Sequence, residues 1–181
     1  MRITVMGPQN TGKSTFVKDI LKEFPHYVTP SESYRDVIEK NGLVINQKSS
    51  LESQKAIRDF MFLQIKNNEE YNIVFDRCLI DNFMYSSVLY ERGLLPKYFL
   101  DETEAMMRDT LPKIDLYLYI PTSVSIKLED DGTRDINTHF IDAVNKHFLR
   151  ILFHLARDLR LSIKVISGTR KERIELLKEL I

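Results

Sequence analysis

The chain has 181 residues, enough for one domain with a single large core and too few to require a second. Its 26 Lys and Arg equal its 26 Asp and Glu, which excludes a global positive field for drawing in nucleic acid or acidic membranes. With one cysteine, Cys78, an internal disulfide framework is excluded, and with neither a secretory leader nor a run of about 18 apolar residues the expected location is the cytoplasm.

Residues 3–6 are an apolar, β-branched strand pattern that breaks at Gly7. Gly7-Pro8-Gln9-Asn10-Thr11-Gly12-Lys13-Ser14 then matches the spacing G-x-x-x-x-G-K-[ST] in full. Glycines at both ends let successive N–H groups turn inward onto phosphate oxygens, and the following helix adds its positive N-terminal end. Gly7, Gln9, Asn10, Thr11, Gly12, Lys13, Ser14 and Thr15 are therefore expected to bind a nucleotide. Lys13 would reach its β and γ phosphates, and Ser14 would hold Mg²⁺. Phe16, Val17, Ile20, Leu21 and Phe24 recur on one face of the helix that follows, which Pro25 stops.

A short second strand, 27–29, would deliver Ser31 to Arg35 at its carboxyl end. Ser49 with Glu52 reads as a capping box opening a helix through Leu51, Ile57, Met61 and Ile65. Residues 73–75 form a third strand ending at Asp76-Arg77, with Asp81 and Asn82 one turn into a helix that runs from Leu79 to Gly93. A fourth strand spans 116–120. The polar stretch 128–135, which contains Gly132 and Arg134, suits a lid able to shut water out of a transfer site. Phe140, Val144, Phe148, Ile151, Leu155 and Leu159 make a long amphipathic stripe, a fifth strand spans 163–166, and Thr169 is placed to cap a last helix. Strands alternating with helices predict a parallel sheet with helices on both faces.

In such sheets ligands sit beyond the carboxyl ends of the strands. Two clusters qualify: Glu32 with Arg35, and Asp76-Arg77 with Asp81. A carboxylate there can hold Mg²⁺, as expected for Asp76 with Ser14, or take a proton from an acceptor hydroxyl, a part open to Glu32 or Asp76. The arginines can steady an anionic acceptor or the moving phosphoryl group. The acceptor is accordingly expected among Glu32, Arg35, Arg77 and Asp81, and Arg134 could close onto the phosphates as a finger supplied in cis. Arg170 could stack on the purine. His139, His147 and His154 lack the spacing of a helical zinc site, while Cys78, Tyr117 and Tyr119 read as packing.

With these residues in place, the chain resembles small P-loop kinases of the AAA-like ATPase group. It is similar to the NadR-type ribosylnicotinamide kinase domain and more distantly to thymidylate and deoxynucleoside kinases. The likeness rests on Gly7 to Thr15, Glu32-Ser33-Tyr34-Arg35, Asp76-Arg77 and Asp130-Asp131-Gly132-Thr133-Arg134. It implies a three-layer P-loop fold with a five-stranded parallel sheet of order 2-3-1-4-5, a small lid carrying Arg134, and ATP or GTP as donor with Mg²⁺. It also implies Glu32 or Asp76 as the group activating the acceptor, and Arg77 as support for a phosphorylated one. The expected function is transfer of a γ-phosphoryl group to a nucleoside or nucleotide acceptor by a monomer or homodimer. A nucleotide-dependent switch, and a kinase acting on a nucleic-acid end or modified base, are the alternatives, the latter disfavoured by the neutral charge.

Overall fold

Four short apolar segments pair side by side, all parallel, in the computed structural model, which describes residues 1–45, 48–122 and 138–181. They are β1 (Arg2–Met6), β2 (Ile73–Asp76), β3 (Leu116–Tyr119) and β4 (Ile163–Val165), in the order β2-β1-β3-β4. The register sets Val5 beside Asp76 and Met6 beside Tyr119, so the carboxyl ends of three strands finish together. Connecting them are α1 (Lys13–Glu23), α2 (Tyr34–Asn41), α3 (Leu51–Asn67), α4 (Leu79–Glu91), α5 (Lys97–Thr110), α6 (Thr138–Leu159) and α7 (Arg170–Lys178).

Alternation along the strands divides the core in two. Ile3, Val5, Leu116 and Leu118 face one way, onto Phe16, Val17 and Ile20 of α1 and Ile174 and Leu177 of α7. Met6, Phe75, Tyr117 and Tyr119 face the other way, into the larger cluster built with α3, α4, α5 and α6. Helices thus cover both faces, as the strand–helix alternation predicts. Because α4 lies inside that larger cluster, its residues are buried on nearly every side, and polar groups on it need partners within the protein.

The sheet has four strands rather than the five expected. Val28 makes an isolated parallel bridge to Ile73, with Val28 N–H to Asn72 carbonyl at 3.0 Å and Val74 N–H to Val28 carbonyl at 2.9 Å. Extending the ladder requires an N–H from residue 30, which is proline and has none. The Thr29 hydroxyl takes the Val74 carbonyl instead, at 2.9 Å. The remaining strands keep the predicted relative order.

Helix starts follow the sequence with one shift. Thr169 caps α7 with Glu172 completing the box, but α3 is capped by Ser50, whose hydroxyl accepts from Ser53 N–H at 3.1 Å. Ser49 is buried and accepts from the Gln54 amide at 2.8 Å. The expected lid at 128–135, with Arg134, lies outside the described residues.

Gly7 joins the sheet to the loop that follows β1. Its φ is +142°, and a Cβ there would stand 2.3 Å from the Ile120 carbonyl oxygen, so a side chain collides with backbone that cannot yield. Gly93, at φ +73° after α4, has open space around it. Gly93→Ala is expected to cost the left-handed penalty of about 1 kcal/mol, or about 2–4 °C in Tm. Gly7→Ala should cost several times more. Equal shifts in thermal melts of the two variants would contradict the close approach of Gly7 to the Ile120 backbone, just after β3.

Candidate functional site

The loop after β1 curls through three residues of positive φ: Gly7, Asn10 at 59° and Gly12 at 81°. Gly12 is the N-cap of α1 and supplies no side-chain cap, so the first-turn N–H groups of that helix remain available to an anion. The Lys13 ammonium is buried and folded back onto the loop, donating to the Pro8 carbonyl and, at 3.2 Å, to the Thr11 hydroxyl. Burial, helped by Arg77, pulls the Lys13 pKa well down, while Asp81 and Asp76 pull it up. A phosphate in the loop would favour its charged form.

Ser14, in the first turn of α1, donates to Asp76 Oδ2 at 2.6 Å. The strand register makes this meeting possible, since Asp76 ends β2 next to Val5. Asp76 Oδ1 is buried with no hydrogen-bond partner. A hydroxyl paired with a carboxylate whose second oxygen is orphaned is a donor set of hard oxygens, fit for Mg²⁺.

Directly after β2 the chain turns sharply. Arg77 adopts φ 84°, its N–H bonds the Val5 carbonyl at 3.0 Å, and Cys78 becomes the N-cap of α4. Asp81, three residues on, accepts from Cys78 N–H at 3.1 Å with one oxygen. With the other it accepts from Gly7 N–H at 3.1 Å and the Arg77 guanidinium at 2.9 Å. Burial pushes the Asp81 carboxyl up, against the pull of Arg77 and Lys13. Arg77 also donates to the Gly7 carbonyl at 3.3 Å, and its guanidinium lies 5.0 Å from the Tyr34 ring and 5.5 Å from the Tyr85 ring. Burial opposes its charge, but Tyr34, Tyr85 and Asp81 outweigh that and hold its pKa high.

Between the loop, α2, α3 and α4 lies a cavity of about 830 Å³. Residues Gln9 to Thr15 form its floor, Tyr34, Arg35 and Ile38 one wall, and Gln54, Ile57, Met61, Arg77, Asn82 and Tyr85 the others. Its polar part is organised: Asn82 donates to Gln54 Oε1 at 3.0 Å, Ser86 donates to the same oxygen at 3.3 Å, and Gln54 donates to Ser49. Apolar walls with a few fixed polar groups are the usual make-up of a small-molecule site.

The structure brings together Gly7 to Thr15, Asp76, Arg77, Asp81 and Arg35. It leaves out two residues expected here. Glu32 pairs with Lys40 and is not among the cavity residues, because Ser33 and Asp36 form the box that starts α2 and leave Glu32 outside the helix, turned toward its exposed end. Arg170 forms a bidentate pair with Asp19 on the outside of α1, which removes it from the loop. Asp81 borders the cavity with both oxygens already taken by protein donors, so its part is to hold the loop and Arg77. Two further contacts with the loop were not anticipated. Tyr85 follows Asp81 by four residues, so helical periodicity alone would have placed it on the same face of α4. Arg173 donates to the Thr11 carbonyl at 2.9 Å and the Gly168 carbonyl at 3.0 Å, joining α7 to the phosphate loop, and nothing local signals that contact.

Comparison with known proteins adds three likenesses. Thymidylate kinase of Bacillus cereus (strain ATCC 14579) is 24% identical over 162 residues, covering 80% of this chain and 77% of that protein. The structure of deoxyadenosine kinase from M. mycoides with products dCMP and a flexible dCDP superposes with a TM-score of 0.76 at 18% identity, over 99% of this chain and 98% of that one. A NadR protein in complex with NR superposes with a TM-score of 0.66 at 22% identity, over 92% of this chain but 45% of that one. At such identities the superpositions establish a shared fold. Residues 2–173 match the AAA domain family over nearly the whole length, and the chain belongs to that family.

Proposed function

We propose that this chain is an ATP-dependent phosphotransferase, a single kinase domain that moves the γ-phosphoryl group onto a small nucleoside or nucleotide acceptor. The observation that carries this is the cavity of about 830 Å³ whose floor is the phosphate loop itself. A nucleotide switch needs the loop but has no use for a second, partly apolar chamber beside it. The thymidylate kinase and deoxyadenosine kinase likenesses support the same reaction class.

In this scheme the loop N–H groups and Lys13 hold the donor phosphates, and ATP or GTP fits them equally. Ser14 and Asp76 would hold Mg²⁺, which supplies charge neutralisation at the phosphates when bound. Arg77 presents its guanidinium from the cavity wall, and Arg35 adds a second cation across from it. The acceptor lies against Gln54 and Asn82, with Ile57 and Met61 packing on its apolar faces. Glu32 would have to leave Lys40 to act as base, but phosphoryl transfer depends more on positioning and charge than on proton removal. Arg134 enters as one further charge on the phosphates.

Two experiments test it. Labelled γ-phosphate from ATP and GTP is offered to nucleosides, nucleoside monophosphates, ribosylnicotinamide and short oligonucleotides. Transfer to one small acceptor is expected, and Lys13→Ala should slow it by on the order of 10³-fold. Hydrolysis with no transfer to any acceptor would favour a switch, and transfer to oligonucleotides alone a nucleic-acid kinase. Second, Asp76→Asn should raise the Mg²⁺ concentration for half-maximal rate about 10- to 100-fold, whereas an unchanged Mg²⁺ titration would remove Asp76 from the metal site.

A further inference from the structure

Tyr85 has no part in the scheme so far, yet it touches both halves of the site. It lies on α4, 8% exposed. Its hydroxyl accepts from the Gln9 backbone N–H at 2.8 Å and donates to the Gln9 side-chain oxygen, so a single phenol oxygen holds this loop residue at two points. Burial pushes the phenol up to about 12, which keeps the proton for the second bond in place at neutral pH. The other side of the residue, its ring, stands 5.5 Å from the Arg77 guanidinium. The hydroxyl therefore ties the phosphate loop and lies close to the Arg77 guanidinium as well, and the ring borders the acceptor wall.

We propose that Tyr85 is a positioning residue that couples the phosphate loop, through Gln9, to the placement of Arg77 for phosphoryl transfer. The inference rests on the transfer function proposed above. Its physical basis is alignment: in-line transfer needs donor and acceptor groups held to within a fraction of an ångström. A loop opening with Gly7 and Pro8 has few side chains of its own to anchor it. Asp81 and Arg77 tether it at Gly7 and Arg173 at Thr11, and Tyr85 holds Gln9, between those two points, to α4. Without the hydroxyl, Gln9 loses its link to α4, and the loop stays joined to Arg77 only at its Gly7 end, through Asp81 and the Gly7 carbonyl.

The test is a four-protein cycle of wild type, Tyr85→Phe, Gln9→Leu and the double variant, with kcat, KM for both substrates and Tm measured for each. Tyr85→Phe retains the ring over Arg77. Its kcat is expected to fall about tenfold with acceptor KM within twofold, and the same change in the Gln9→Leu background, where only the bond from the Gln9 N–H is left to lose, should cost about threefold. Equal losses in both backgrounds overturn the coupling. So does a lower Tm with kcat intact, which marks a packing role. Should Tyr85→Phe fail to fold, Gln9→Leu, which leaves α4 untouched, must by itself lower kcat several-fold with acceptor KM unmoved, and an unaltered kcat overturns the proposal. A wild type that transfers to no acceptor defeats the function and this role together, whereas an active wild type with independent losses defeats this role alone.

Discussion

One buried carboxylate holds the two halves of this molecule's site together. Asp81 closes the N-terminus of α4 through Cys78, fixes the first turn of the phosphate loop through Gly7, and pairs with the Arg77 guanidinium. Each donor would be costly to bury alone, and the three are buried around one anion. Removing one member of a buried ion pair typically costs about 3–5 kcal/mol, because the other is left uncompensated. The shape of the loop and the start of α4 are thus set by the same group, and neither adjusts without the other.

That joint sits where it does because of strand register. Parallel pairing sets Val5 beside Asp76, so the loop that follows β1 meets the first turn of α4 at Gly7 and Asp81, and Ser14 of α1 meets Asp76. Their N-termini are treated differently. Ser33, Ser50 and Thr169 accept from the first turns of α2, α3 and α7, and Asp81 closes α4, but α1 begins on a bare glycine. A helix start left uncapped beside a buried lysine is where a phosphate finds N–H groups not already spent. The acceptor side follows from the same arrangement: α4 lies inside the larger core, and its polar residues, unable to reach water, organise one another into the cavity wall.

The parts of the site legible in the sequence are those made by neighbours along the chain. The phosphate loop is eight consecutive residues between a strand and a helix, and Asp76-Arg77 is a dipeptide at a strand end. Asp81 was visible as a carboxylate one turn into the helix after that strand, and its oxygens accept from Gly7, Cys78 and Arg77. Where the structure departs from these expectations, a competing partner won. Lys40 takes Glu32, Asp19 takes Arg170, and Gln54 takes the hydroxyl of Ser49 that had been read as a cap. The edge strand failed for a reason the sequence did contain, since Pro30 lacks the N–H that the next rung of the ladder requires.

By itself the sequence determined the chemistry at the donor end, because backbone curvature, helix start and lysine all arise within one short segment, and hydrogen bonds between near neighbours carry little loop-closure cost. It also determined the layering, because alternation at period two and at period 3.6 shows which side of each element is buried. Only the tertiary structure decided which side chains from distant elements share a wall. Tyr85 on Gln9, Arg173 on Thr11 and Arg77 beside Tyr34 are contacts across long stretches of chain. They exist because core packing fixes how far each helix stands from the sheet, and no local pattern encodes that distance.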